Sequence, residues 1–260
     1  MSASDDRFYR AKVAQRVDLG PTLWTVRLRV DGDFKFKAGQ YATLCVQDAD
    51  GKRCERPYSI VSAPFESEIE FFLELVPGGD MTPRLYKLQV EDELLVRKSA
   101  KGRFTLDAQS GRTNHLLVCT VTGVAPFVSY ARSLRKEWQQ DKDAGEYKLY
   151  LLNGASSPDE FGYFGELQRL ATEVPWLQYV PTVSRPWQDT TWMGETGRVD
   201  DIIRKYADKW GLNGSNSVAY LCGNPEMIEH VKGILGRVGF EKEHLREESY
   251  WVPGKSLNSM

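Results

Sequence analysis

The sequence has few cysteines and no pairing pattern among them. Cys45, Cys54, Cys119 and Cys222 lie far apart, and none stands in the Cys-x-x-Cys spacing of a zinc or iron–sulfur site. Lone cysteines in strand-like apolar runs, such as Cys45 and Cys119, read as plain core, and nothing points to an oxidising compartment, so the expected location is the cytoplasm. No run approaches the ~20 apolar residues of a membrane span. The opening Met1-Ser-Ala-Ser-Asp-Asp6 has no basic-then-apolar signal pattern. Net charge is also nearly absent: 34 Lys+Arg against 36 Asp+Glu leave −2, which argues against a generic nucleic-acid binder. The Gly-x-Gly-x-x-Gly fingerprint does not occur, so a dinucleotide site has to be argued on other residues. What remains is an ordinary globular composition, 41% hydrophobic and 27% charged over 260 residues. That is enough for one large or two ordinary domains that bury a core without disulfide or metal help.

Two halves follow different patterns. In the first, Trp24, Val26, Leu28 and Val30 alternate with Thr25, Arg27 and Arg29, the two-residue period of a strand with one wet face. Residues 41–46, 69–76 and 93–97 read as further strands, separated by glycine-rich turns. Such spacing predicts an antiparallel sandwich or barrel. After a polar bridge at 107–114, short apolar runs at 116–120, 147–152, 177–183 and 218–222 alternate with helical stripes such as Phe127, Ala131, Leu134 and Trp138. That rhythm predicts a parallel α/β sheet with helices on both faces. The domains are expected at residues 1–108 and 114–260.

In a parallel sheet, ligands bind beyond the carboxyl ends of the strands. Three strand–helix junctions there have chemistry to offer. Val121-Thr-Gly-Val-Ala-Pro-Phe127 and Cys222-Gly-Asn-Pro-Glu226 each join a strand to a glycine turn and an early helical proline. Ser184-Arg185 with Thr196-Gly-Arg198 brings a hydroxyl and two guanidinium groups suited to a phosphate. In the first half, Pro77-Gly-Gly-Asp-Met-Thr-Pro-Arg84 reads as the start of a helix with Thr82 as N-cap, a ready anion seat. Arg56-Pro57-Tyr58-Ser59 places Arg56 and Tyr58 on one face of an extended segment and Ser59 on the other. Taken alone, the two glycine turns and the helix start are equally compatible with a plain structural role, and either arginine of the third junction with a solvated surface, whereas Arg56-Pro57-Tyr58-Ser59 would be wasteful for packing alone.

Taken together and in this order, Arg-Pro-Tyr-Ser and Cys-Gly-Asn-Pro make the sequence resemble the ferredoxin–NADP+ reductase family, closest to its bacterial ferredoxin/flavodoxin reductases. The resemblance implies an N-terminal antiparallel β-barrel holding FAD and a C-terminal Rossmann-like domain holding NADP(H). It implies FAD contacts from Arg56, Pro57, Tyr58, Ser59, Val76, Gly79, Met81, Thr82 and Thr122, with Trp251 as the aromatic over the flavin. It implies NADP contacts from Gly123, Ser184, Arg185, Arg198, Cys222, Gly223, Asn224 and Pro225. Ser59 and Cys222 would be the catalytic pair, with no metal, and Glu247 or Glu248 would relay a proton. The implied partner is ferredoxin or flavodoxin, met by a monomer with no membrane or nucleic-acid contact. The alternative acceptor is an oxygenase or haem protein. Basic groups at Lys98, Lys101 and Arg103, or at Arg132, Arg135 and Lys136, are the expected docking surface. Three departures stand out: Val121 where the family commonly has glycine, no arginine at 153–156, and a tail beyond Trp251. His115, His230 and His244 are assigned no role.

Overall fold

The computed structural model describes residues 6–47, 51–142 and 147–250. The first half contains β1 (Phe8–Asp18), β2 (Leu23–Val30), β3 (Tyr41–Gln47), β4 (Arg53–Ser59), β5 (Ile69–Glu74), the short helix α1 (Thr82–Tyr86) and β6 (Glu93–Arg97). They form an antiparallel six-stranded sheet in the order β4-β3-β6-β1-β2-β5, curled as a half-barrel. The alternation read from β2 sends Trp24 and Leu28 inward, where they meet Val13, Leu44, Phe71 and Val96 in one core. β1 lies in the middle of this sheet although it shows no clean alternation. A register shift between Val13 and Gln15 breaks the two-residue period, as a bulge does.

The second half contains β7 (Asn114–Thr120), α2 (Ala125–Gln140), β8 (Lys148–Ala155), α3 (Phe164–Glu173), β9 (Leu177–Val183), β10 (Glu195–Thr196), α4 (Val199–Trp210), β11 (Ser217–Gly223), α5 (Pro225–Arg237) and β12 (Leu245–Ser249). All six strands run parallel in the order β10-β9-β8-β7-β11-β12. The chain moves outward from β7 through β8 and β9, then returns to the other side of β7 as β11. The crevice at that reversal is where such sheets bind ligands. Helices α2 and α3 cover the face toward the half-barrel, and α4 and α5 cover the other.

The two halves share a core. Leu23, Val61, Phe72 and Phe104 of the first pack with Phe127, Tyr130 and Tyr163 of the second. Ser129 Oγ donates to the Ser62 carbonyl at 2.7 Å, and the Tyr130 hydroxyl to the Phe104 carbonyl. Apolar burial and these bonds therefore fix one half against the other across the crevice. No helix among the described residues is long and apolar enough to cross a membrane.

Candidate active site

Four elements reach the crevice from separate parts of the chain. β4 is an edge strand of the half-barrel and ends at Ser59, whose side chain is buried. β7 ends at Thr120 and turns through residues 121–124 into α2. β11 ends at Cys222-Gly223. β12 runs parallel beside β11, so that Cys222 pairs with Glu248 and Gly223 with Ser249. The result is that Ser59 Oγ donates to Glu248 Oε1 at 2.5 Å. The Tyr250 hydroxyl donates to the Thr122 carbonyl at 3.0 Å and also lies against Cys222.

Electrostatics follow from burial. The Glu248 carboxyl is raised above its usual value by desolvation, against a smaller lowering from the Ser59 hydrogen bond. Cys222 is fully buried, and burial, seconded by the Glu248 carboxylate, holds its thiol well above the ordinary range. Cys222 is therefore a neutral packing surface and not a thiolate nucleophile. Glu247, by contrast, pairs with Lys232 at 2.7 Å on the outside. Of the two carboxylates expected as proton relays, only Glu248 faces the crevice.

The β7–α2 turn is strained. Val121 has φ +44, a left-handed conformation that costs a β-branched residue about 1–3 kcal/mol. Its neighbours hold it: Thr120 Oγ1 accepts from the Asn224 amide at 3.1 Å, and the Thr122 carbonyl is bound by Tyr250. Gly123 lies against the other glycine turn. A Cβ there would fall 2.4 Å from the Cys222 carbonyl oxygen and 2.8 Å from its carbonyl carbon. Gly123→Ala is expected to lower stability by about 1–3 kcal/mol through this overpacking. Urea unfolding checks it, and an unchanged midpoint would show that the turn has slack.

Strand pairing brings together the residues expected to clamp a phosphate. Thr196 of β10 pairs with Val183 of β9, so Ser184-Arg185 and Gly197-Arg198 leave the same end of adjacent strands. Gly197 N donates to the Val183 carbonyl at 2.8 Å and Arg185 N to the Ser156 carbonyl at 2.9 Å. The Arg185 side chain is exposed. Arg198 flanks the N-terminus of α4 and is partly engaged: its Nε donates to the buried Asp200 at 3.2 Å, and His230 meets the same carboxylate at 3.1 Å. The Ser184 hydroxyl points to the Ala155 carbonyl at 3.4 Å. At α5, Asn224 is the N-cap, accepting from Glu226 and Met227 amides, with Pro225 in the first turn.

In the first half several expectations change. Thr82 is not the N-cap of α1. Met81 holds that place without a side-chain bond, and Thr82 Oγ1 instead accepts from the Val76 amide at 2.9 Å. The hydroxyl thus closes the glycine turn, where Gly79 N also bonds the Val76 carbonyl at 3.0 Å. Met81 sends its side chain into the half-barrel core, leaving only its backbone for a ligand. Tyr58 packs on the same core, Pro57 is exposed, and Arg56 is half-buried with Nη1 on the Glu55 carbonyl at 2.8 Å. Trp251 lies outside the described residues. Among the described ones the aromatic at the crevice is Tyr250, 37% exposed. In the second basic cluster Arg132 is half-buried among carboxylates, Arg135 pairs with Glu173 at 2.7 Å, and the exposed Lys136 ammonium sits 4.0 Å over the Phe65 ring. In the first cluster Lys98 is paired with Asp6 at 2.6 Å, while Lys101 and Arg103 are exposed.

An oxidoreductase FAD-binding domain family matches residues 10–106, and an oxidoreductase NAD-binding domain family matches residues 117–233. The chain is 31% identical over 251 residues to ferredoxin–NADP reductase A of Sorangium cellulosum, covering 90% of this chain and 85% of that one. The chain belongs to the ferredoxin–NADP+ reductase family. It is also 29% identical over 246 residues to the reductase component of phenol 2-monooxygenase from a Pseudomonas species, covering 93% of this chain and 65% of that one. The fold matches a Neisseria gonorrhoeae ferredoxin NADP+ reductase solved with FAD and NADP, at TM-score 0.80 and 24% identity over 94% of this chain and 99% of that one. The protein is thus an FAD- and NADP(H)-dependent oxidoreductase. The residues present fit those groups: an open strand edge with a guanidinium and a hydroxyl for FAD, and glycine turns with exposed arginines at helix starts for a dinucleotide.

Proposed function

We propose that the reductase passes electrons between NADP(H) and ferredoxin or flavodoxin, as a cytoplasmic monomer, with residues 1–108 holding FAD and residues 114–260 holding NADP(H). FAD when bound supplies the exchange of a hydride with nicotinamide and of single electrons with the carrier. The chain's task is positional. Arg56 neutralises the flavin phosphates while Tyr58 and the 76–82 turn fix the rest of that nucleotide. Ser59 and Glu248 meet between the halves, where the hydroxyl orients the reacting ring and the carboxyl holds a proton. Cys222 and the 223–225 turn pack the nicotinamide side. Tyr250 covers the crevice and moves aside for the nicotinamide, a gating step. The observation that carries this reading is the 2.5 Å Ser59–Glu248 bond, which joins the half-barrel to the far edge of the parallel sheet.

Anaerobic NADPH is expected to bleach the visible spectrum of the purified protein, and added ferredoxin or flavodoxin to accelerate cytochrome c reduction. A colourless protein that takes up no FAD would overturn the assignment. The second reading, an oxygenase as acceptor, is favoured by the likeness to the phenol 2-monooxygenase component. Carrier-independent turnover would select it. Arg185→Ala is expected to raise KM for NADPH about tenfold or more, the loss of a charge-assisted phosphate contact, and to leave NADH nearly unchanged. Equal losses for the two coenzymes would refute the clamp.

A further inference from the structure

Arg132, read from the sequence as a docking residue, sits in a closed ion network between the halves. Its Nε and Nη2 fork onto Glu166 of α3 at 2.7 and 2.8 Å, and its Nη1 donates to Glu70 of β5 at 2.6 Å. Glu70 is 6% exposed. It also accepts from Arg27 of β2 at 2.7 Å and from the Tyr163 hydroxyl at 3.0 Å. Glu66 completes the ring, 3.1 Å from Arg27 and 3.4 Å from Arg132. Arg27, Glu66 and Glu70 belong to the half-barrel, and Arg132, Tyr163 and Glu166 to the parallel-sheet half.

The elements tied together are the two that lead into the crevice. β5 runs on into the 76–82 turn, and α2 begins at the 121–124 turn. Arg132 lies seven residues into α2, about 10 Å from its start. A shift of that helix against β5 is therefore carried to Thr122 and Gly123. The network is part-buried, with Glu70 at its buried end, and shielded ion networks of this kind add little to stability but can select one arrangement of packed elements. Hydride transfer needs its two atoms within about 3–3.5 Å, and about 1 Å of misplacement costs on the order of 100-fold.

We infer that Arg132 is a positioning residue for hydride transfer: it sets the separation of the flavin-bearing and nicotinamide-bearing halves. The inference rests on the assignment of FAD to the first half and NADP(H) to the second. Failure of that assignment would show in the wild-type protein as missing flavin.

The test is Arg132→Met, with Arg132→Lys as partial rescue and Glu166→Gln as a milder cut on the outer side of the network. The expected result for Arg132→Met is retained FAD and an NADPH dissociation constant within about threefold. The limiting rate of anaerobic flavin reduction should fall about 10–100-fold, with Arg132→Lys between the two. A wild-type limiting rate, or a slow rate explained by lost FAD, overturns the inference. Should Arg132→Met not fold, Glu166→Gln is judged on the same readouts, and an unchanged rate in it is equally fatal.

Discussion

Ser59→Ala lowers the limiting rate of flavin reduction by NADPH on the order of 100-fold, with FAD content unchanged. The hydroxyl is buried and joins β4 to Glu248. Its loss frees both the ring it orients and the carboxyl it restrains, and loose positioning at this distance scale carries that magnitude. The variant also has a pH signature whose sign is fixed. Burial raises the Glu248 carboxyl, and the Ser59 hydrogen bond pulls it down by favouring the ionised form. Removing the hydroxyl leaves burial unopposed, so the limb of the pH–rate profile that follows Glu248 moves to higher pH in Ser59→Ala. Glu248→Gln should abolish that limb. A limb that stays in place in both variants would assign it to some other group.

Acid destabilises this protein through a residue far from the chemistry. His115 on β7 is fully buried, and neither ring nitrogen has a hydrogen-bond partner among the described residues. The rings of Tyr147 and Tyr220 lie 5.0 and 5.6 Å away. Burial, weakly opposed by Asp107, lowers its pKa from 6.5 to about 4. Below about pH 6.5 the unfolded chain takes up a proton here that the folded chain refuses until about pH 4. In that window the unfolded state binds more protons, so stability falls as pH falls. At about 1.36 kcal/mol per pKa unit, the loss across the window is about 3 kcal/mol, absent above pH 7 and complete near pH 4. Urea unfolding from pH 7 to 4 should show His115→Phe losing about 3 kcal/mol less than the wild type. Parallel curves would mean that His115 is charged in the native state or hydrated.

Much of the architecture was legible because it rests on local period. The Trp24–Val30 alternation, the short apolar runs of β7, β8, β9 and β11, and the stripe of α2 all state which face is buried. β1 was not legible, because its bulge switches the buried face partway along. β12 was not legible either. Its residues, Leu-Arg-Glu-Glu-Ser, have no apolar period, and it becomes a strand only by lending its backbone to β11. Thr82 was misread as a cap because its hydroxyl chose the Val76 amide six residues back over the helix it begins.

By itself the sequence determined two domain types, the family signature motifs and the position of each strand–helix turn. These depend on side-chain chemistry within a few residues of one another. Only the tertiary structure decided that Ser59 meets Glu248 across 189 positions, that Tyr250 stands at the crevice, and that Arg132 pairs with carboxylates of both halves. The reason is physical. A polar side chain leaves no periodic trace of its partner, and whether its charge faces water or a buried carboxylate is settled only when distant elements pack.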